Sequence, residues 1–462
     1  MSTERERRTT PFDALLKPFG DVRVGEGARV ITLLLSLFLL LVSYYVIKTV
    51  REPLILASGH PELKSYGAAG QALVLMGFVP AYSWLSSRVS RTVLIPTVTA
   101  FFVACLQLFY FGAQGVLGAE PPAETELSIG HFTSIGYVFY VWVGIFSVAM
   151  IAQFWAMAND LYPRATGERL FPIIAVGAPA GSWAGSVLAE WLFDHDVTVP
   201  MMFQVTSVLL FVHAVLAWFA MRRASTNEAG QEEGAEAPID SPNGFLLVFR
   251  SPYLRLIALL LVLLNVVNTT GEQILSTSVY ERAVALADAG EIDDVGAWIG
   301  AFYGDFFGWV NLATVLVQAL LVSRIVKLFG IRGVVFALPI VALGVYGSLA
   351  LGAGFAAFRI AKMAENTTDY SVMNTAKAML WLPTSRAEKY KAKQAVDTFF
   401  VRFGDLIAAG FVFVAAELLS LGLRSFAVFN LVAIAAWFFV AVLVVRRYRA
   451  LADEAPAPGD QA

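Results

Sequence analysis

Residues 30–53 read VITLLLSLFLLLVSYYVIKTVREP, with no charged side chain before Lys48. A helix needs about 20 apolar residues to cross the hydrocarbon core of a bilayer, and this run supplies them. It is too long for the apolar region of a signal peptide, and no small-residue cleavage pattern follows it. It reads as an uncleaved first span. Stretches of the same kind recur along the chain, at 67–86, 92–114, 131–158, 170–193, 200–221, 253–278, 297–323, 331–352, 355–381, 395–420 and 425–445. The expectation is an all-α integral membrane protein with twelve transmembrane helices. Backbone polar groups in lipid need partners within their own segment, so helices are forced. The alternation of an outer-membrane barrel is absent.

Composition agrees. Of 462 residues, 58% are hydrophobic and 15% charged, against about a quarter charged in a soluble domain. A soluble protein this apolar would expose too much greasy surface. Cys105 is the single cysteine, so there is no disulfide framework. His60, His131, His195 and His213 are scattered without metal-ligand spacing, and no cofactor is implied. No Lys/Arg cluster is left unexplained by membrane topology, which argues against nucleic acid as a partner.

Charge sorting sets the orientation. Arg5 to Arg29, Arg88 and Arg91, Arg164 and Arg169, Arg222 to Arg255, Arg324 to Arg332, Arg386 to Lys393 and Arg446 to Arg449 fall on every second connection. The alternate connections hold only Lys64, Arg282 and Arg424 with the acidic runs Glu120-Glu124-Glu126 and Asp288-Glu291-Asp293-Asp294. The positive-inside rule then places both termini in the cytoplasm, in a cytoplasmic (inner) membrane. The segment STNEAGQEEGAEAPIDSPNG, 225–244, is polar, acidic and rich in Gly and Pro. The expected order is an arm over 1–29, a six-helix half over 30–221, a linker over 222–252, a second half over 253–446 and a tail over 447–462. Two six-span halves joined by a long linker suggest the major-facilitator fold, in which each half is a pair of inverted three-helix repeats.

A charge in a membrane helix costs about 2.5–3.5 kcal/mol on insertion scales and faces protein or water. In the tenth span Arg359, Lys362, Asn366, Asp369, Tyr370, Met373 and Lys377 share a face of about 100° of arc, with Glu365 beside it. The seventh span carries Asn265, Asn268, Thr269, Glu272 and Ser276 on one stripe. The first ends with Tyr44, Tyr45, Lys48 and Arg51, and the fourth with Trp155, Asn159 and Tyr162. These spans open the four three-helix units, the position that lines a major-facilitator cavity. The candidate binding residues are Lys48, Arg51, Asn159, Asn268, Glu272, Arg359, Lys362, Glu365, Asn366, Asp369 and Lys377. Asp305, Asp397, Arg402 and Asp405 add to a pathway of balanced sign. Arg402 and Asp405 read better as a structural i,i+3 pair, and the tenth-span charges could pair among themselves. Glu190 and Glu417, near outer ends, read as solvated. Gly177, Gly181 and Gly185 form a small-xxx-small packing stripe.

Three runs carry a resemblance. YYVIKTVREPLILASG, QFWAMANDLYPRATGERLFPIIAVGAPAG, and DYSVMNTAKAMLWLP followed by KYKAKQAVDTFFVRFGD resemble the nucleotide transporters of the ATP/ADP translocase type, found in plastids and intracellular bacteria. The resemblance covers roughly 40–410. It implies a major-facilitator fold, exchange of ATP for ADP or transport of a related nucleotide, and basic residues on the phosphates. Arg51 and Lys377 stand where the family's motifs have Lys. Glu52 replaces Asp, Thr166 replaces Glu, Asn268 replaces Glu, Glu272 replaces Lys, Asn374-Thr375 replace Asp-Pro and Ala378 replaces Glu. The leading expectation is a secondary transporter of a nucleotide-like or other organic anion, working by alternating access, with the oligomeric state open and a monomer plausible. A proton-coupled carrier of another metabolite or drug-like solute and a non-transporting receptor or assembly partner stand as alternatives. No nucleophile–base pair or metal cluster points to an enzyme.

Overall fold

The computed structural model describes residues 11–16, 22–56, 59–86, 88–89, 91–113, 134–162, 164–225, 244–385 and 388–454. Residues 226–243 of the expected linker over 222–252, the acidic run Glu120-Glu124-Glu126 and much of the arm and tail lie outside the described residues. Among the described residues all regular structure is helical. In chain order the helices are α1 (Pro11–Leu16), α2 (Gly27–Leu56), α3 (Leu63–Ser86), α4 (Arg91–Ala113), α5 (Ile135–Leu161), α6 (Arg164–Ala175), α7 (Gly177–Asp194), α8 (Val199–Ser225), α9 (Gly244–Arg250), α10 (Pro252–Asp288), α11 (Val295–Val317), α12 (Ser323–Ala350), α13 (Phe355–Thr368), α14 (Asn374–Met379), α15 (Val401–Phe413) and α16 (Leu423–Glu454).

Among the described residues nine helical runs are long and apolar enough to cross a membrane. The difference from the expected twelve has identifiable causes. Val295–Ala350 counts as one run of 56 residues although it holds two of the expected spans. The chain turns sharply inside it at Gly330, whose φ of 58° and ψ of −148° are open to glycine. α3 is helical over Leu63–Ser86 but is not among the nine, and α13 carries the polar stripe. The expected fifth span is counted, as Arg169–Asp194, although α6 ends at Ala175 and α7 starts at Gly177.

The chain forms two compact units, one of residues 1–58, 78–235 and 294–308, the other of 59–77, 236–293 and 309–462. In the first unit α7 lies directly on α2. A Cβ at Gly177 would stand 2.5 Å from the Leu34 carbonyl oxygen and one at Gly185 2.6 Å from that of Val42, while Gly181 abuts the Phe38 carbonyl. The small-residue stripe is therefore a backbone-to-backbone seam, as expected for helices that associate by close packing. Polar links tie further helices. His213 Nδ1 lies 2.9 Å from the Ser36 hydroxyl, and the Gln107 amide donates to the Ser207 hydroxyl at 2.9 Å. In the second unit Tyr253 donates to the Leu380 carbonyl at 2.6 Å, and Asn430 to that of Val267 at 3.2 Å.

The second unit also contains π-helical turns at Gln318–Val322, Asp369–Met373, Glu388–Ala392, Val396–Phe400 and Val414–Leu418. Each inserts an extra residue and rotates the helix face beyond it, and such turns recur at functional sites. The turn Asp369–Met373 opens on one of the expected binding residues.

Candidate functional site

The polar stripe of α13 becomes a buried charge cluster in the second unit. Lys362 is 0% exposed, and its Nζ lies 2.9 Å from a Glu365 oxygen and 3.6 Å from Glu272 of α10. Both Glu365 oxygens accept the Tyr346 hydroxyl of α12, at 3.0 Å each. Asn366 donates to Glu272 at 3.3 Å. Lys64, in the first turn of α3, reaches the other Glu272 oxygen at 3.3 Å. Two lysines thus face two carboxylates, and charge is balanced within the group. Balance is required, because a buried ion stripped of its partner destabilises by about 3–5 kcal/mol. Gly271 makes the arrangement possible, since a Cβ there would overlap the Tyr346 hydroxyl and stand 2.9 Å from Lys362 Nζ.

One turn further along, Asp369 pairs with Lys377 at 3.3 Å. The π-helical turn between them shortens the path, so residues eight apart meet. Lys377 keeps 32% of its side chain exposed. Arg402 pairs with Asp405 at 3.2 Å, and Thr269 donates to the other Asp405 oxygen at 2.6 Å, which agrees with a structural role for that pair. Asp397, counted in sequence with the pathway charges, instead forms an exposed pair with Lys393 at 2.8 Å, because they sit one turn apart on an outward face. Arg359 and Asn268 are half-buried. Glu417 is exposed as expected, and accepts the Tyr66 hydroxyl at 3.3 Å.

In the first unit the end of α2 holds two cations against aromatic faces. Lys48 is buried, its Nζ 4.0 Å from the Phe307 ring centroid and 4.7 Å from that of Tyr45. The Arg51 guanidinium lies 4.3 Å from the Tyr140 centroid and donates to Glu52. Ring quadrupoles hold such cations in place.

The same unit carries an open pocket of ≈590 Å³ lined by Trp155, Asn159, Tyr162, Gly167, Phe171, Pro172 and Ala175. It gathers the expected Asn159 with the aromatic end of α5 and the middle of α6. Burial pushes the Tyr162 hydroxyl up to about 12, against the opposing pull of Arg29, so it stays protonated at neutral pH. The candidate residues therefore fall into three groups, Lys48 with Arg51, Asn159 with the aromatic pocket, and Glu272, Lys362, Glu365 and Asn366 with Asp369 and Lys377 nearby.

Sequence reasoning missed Lys64, Tyr346, Tyr140 and Phe307. Lys64 was read as part of an outer connection, and nothing in the sequence singled out Tyr346. Only the excess of acids and bases in α10 and α13 hinted that further partners were needed.

Comparison with known proteins follows this geometry. Residues 4–448 match the family described as TLC ATP/ADP transporter. ADP,ATP carrier protein 1 of Chlamydia pneumoniae is 22% identical over 454 residues, covering 84% of this chain and 86% of the relative. ADP,ATP carrier protein 1 of Chlamydia trachomatis serovar D is 22% identical over 456 residues, covering 84% and 83%. Among solved structures, a bacterial homologue of the iron transporter ferroportin in its inward-facing state superposes with a TM-score of 0.61 at 14% identity, covering 91% of this chain and 98% of that one. The nucleoside transporter NupG gives 0.58 at 13% identity, covering 92% and 100%. These likenesses show the major-facilitator fold of a multi-pass membrane protein, as expected from the polar stripes. The matched span covers nearly the whole sequence, and the chain belongs to the TLC ATP/ADP transporter family, a family of transporters and not of enzymes.

Proposed function

We propose that the protein carries a nucleotide, or a closely related organic anion, across a cytoplasmic membrane by alternating access, with ATP/ADP-type exchange as the specific form. The observation that carries this reading is the family match over residues 4–448, joined to relatives described as ADP,ATP carriers. The chain is organised as twelve spans in two halves, 30–221 and 253–446, with the arm, the 222–252 linker and the tail on the cytoplasmic side. A single copy contains every residue the mechanism uses.

Lys48, Arg51 and Lys377 take the anionic groups of the substrate. Arg51 and Lys377 occupy family motif positions, and Lys377 keeps part of its side chain in reach of solvent. Asp369 balances Lys377 when the site is empty, and Glu272 and Glu365 balance Lys64 and Lys362. Lys362 is enclosed by carboxylates, so its part is to hold the walls together rather than to touch the substrate first. Asn268, Arg359 and Asn366 supply polar lining, and Asn159 lies apart with the aromatic pocket.

The test is exchange in proteoliposomes. Vesicles loaded with ADP should take up labelled ATP, and empty vesicles should take up far less. Absence of uptake with ATP, ADP and other nucleoside phosphates, together with no thermal stabilisation by any of them, would sink the reading.

A further inference from the structure

We propose that the pocket between Trp155 and Phe171 seats the planar heteroaromatic ring of the substrate, with Asn159 meeting the ring's polar edge. This rests on the reading of the chain as a nucleotide-type carrier, and adds a subsite to it.

At ≈590 Å³ the pocket falls within the range of about 300–1,000 Å³ typical of small-ligand sites. None of its described lining residues is charged, so those residues offer no ammonium to a phosphate and no carboxylate to a cationic amine. Its walls are aromatic. Trp155 and Phe171 stand with ring centroids 5.9 Å apart at 74°, and Tyr162 and Phe171 6.1 Å apart at 72°. Such crossed rings present both a face and an edge, and a planar ring can lie on the one while abutting the other. Gly167 holds this geometry open, because a Cβ there would come within 3.0 Å of the Phe171 ring and displace it.

One polar group gives the pocket a chemistry beyond grease. Asn159 is exposed on the last turn of α5, and its carboxamide offers a donor and an acceptor side by side, the pairing that matches the edge of a base. Tyr162 lines the pocket at 7% exposure and contributes ring surface, while its hydroxyl is fully buried and out of a ligand's reach. An acyl chain would fill the pocket but leave the Asn159 carboxamide unmatched.

Affinity for ATP and for inorganic tripolyphosphate, which lacks the ring, separates the subsite from the phosphate site. In the purified full chain Trp155→Ala and Phe171→Ala should weaken ATP about tenfold, the scale of one lost base–aromatic stack. Tripolyphosphate affinity should stay at the wild-type value, which also reports that the variants are folded. Trp155→Phe should restore most of the loss. Asn159→Leu should change the ranking of ATP against other nucleoside triphosphates. Should an alanine variant fail to fold, photolabelling of the wild type with 8-azido-ATP decides, and the label should fall between residues 153 and 172. Wild-type ATP binding that both alanine variants keep, or a label placed elsewhere, overturns the subsite while leaving the carrier reading standing. A wild-type protein that binds tripolyphosphate but gains nothing from the base overturns the subsite as well. No binding of either compound overturns both.

Discussion

Lys64 Nζ lies 3.3 Å from Glu272 Oε2, across a sequence separation of 208 residues. Both belong to the second unit, although Lys64 precedes the second apolar stretch and Glu272 sits within the seventh. The same carboxylate receives Lys362 at 3.6 Å and Asn366 at 3.3 Å. One acid therefore serves two ammonium groups, one of them at the start of α3 and the other on α13. A double-mutant cycle on Lys64→Met and Glu272→Gln should give a coupling free energy of about 0.5–3 kcal/mol, the range for directly paired residues. Chemical or thermal unfolding of the four proteins in one detergent checks it, and additive effects would show that the pair is not formed.

Gly271 should not tolerate a side chain. The Cβ of Gly271→Ala would overlap the Tyr346 hydroxyl and stand 2.9 Å from Lys362 Nζ. Overpacking of this kind destabilises by about 1–3 kcal/mol. Removing the hydroxyl in Tyr346→Phe clears the collision, so the double variant should melt higher than Gly271→Ala alone. Melting temperatures of the single and double variants settle the point. If Tyr346→Phe adds its full cost on top of Gly271→Ala, the close approach is not the cause.

How far the sequence carried these conclusions depends on the kind of contact. The α2 and α7 seam was legible because Gly177, Gly181 and Gly185 recur every four residues, and a local period maps directly onto a helix face. The α13 stripe was legible for the same reason, and Lys362, Glu365, Asn366 and Asp369 are indeed buried together. The match to Lys64 and Tyr346 was not legible, since nothing local marks which distant helix supplies a counter-charge. The π-helical turn Asp369–Met373 also escaped. A reading at 100° per residue assumes an unbroken α-helix, and the inserted residue shifts the face on which Lys377 lies. The charge pattern, by contrast, separated α10 and α13 from the lipid-facing helices because the bilayer penalises ions wherever they fall.

The Glu26–Arg169 pair should make stability fall in acid. Arg169 donates to both Glu26 oxygens, at 2.7 and 2.9 Å, and the Arg23 N–H donates at 2.9 Å. Burial alone would raise the Glu26 carboxyl, but these donors outweigh it and hold the group below its ordinary 4.5. A carboxylate lowered in the folded state contributes stability above its unfolded value and loses it as pH falls through the folded one. Glu26→Gln should therefore be less stable than wild type near pH 7, by under about 1 kcal/mol for a pair partly in water. The two proteins should converge as pH drops below 4.5. A difference that stays constant down to that range would remove Glu26 as the titrating group.

Lys362 and Lys377 should part company when each is neutralised. Lys362 is fully enclosed, with Glu365 at 2.9 Å and Glu272 at 3.6 Å. Lys362→Met strips two carboxylates of a shared counter-ion, and its cost should appear in folding, on the order of 3–5 kcal/mol. Lys377 keeps 32% of its side chain exposed and pairs with Asp369 at 3.3 Å, close enough to hold the ammonium in place and open enough for an anion to displace the carboxylate. Lys377→Gln should leave the melting temperature within about 2 °C of wild type, the shift expected for a loss below 1 kcal/mol in a chain of this size. Its effect should fall on transport, raising the KM for ATP about tenfold, the equivalent of one charge-assisted contact. Melting curves and initial uptake rates on the same two variants distinguish the roles. A Lys362→Met protein of normal stability with a raised KM, beside a Lys377→Gln protein with the reverse profile, would exchange the assignments and make the enclosed lysine the one that meets the substrate.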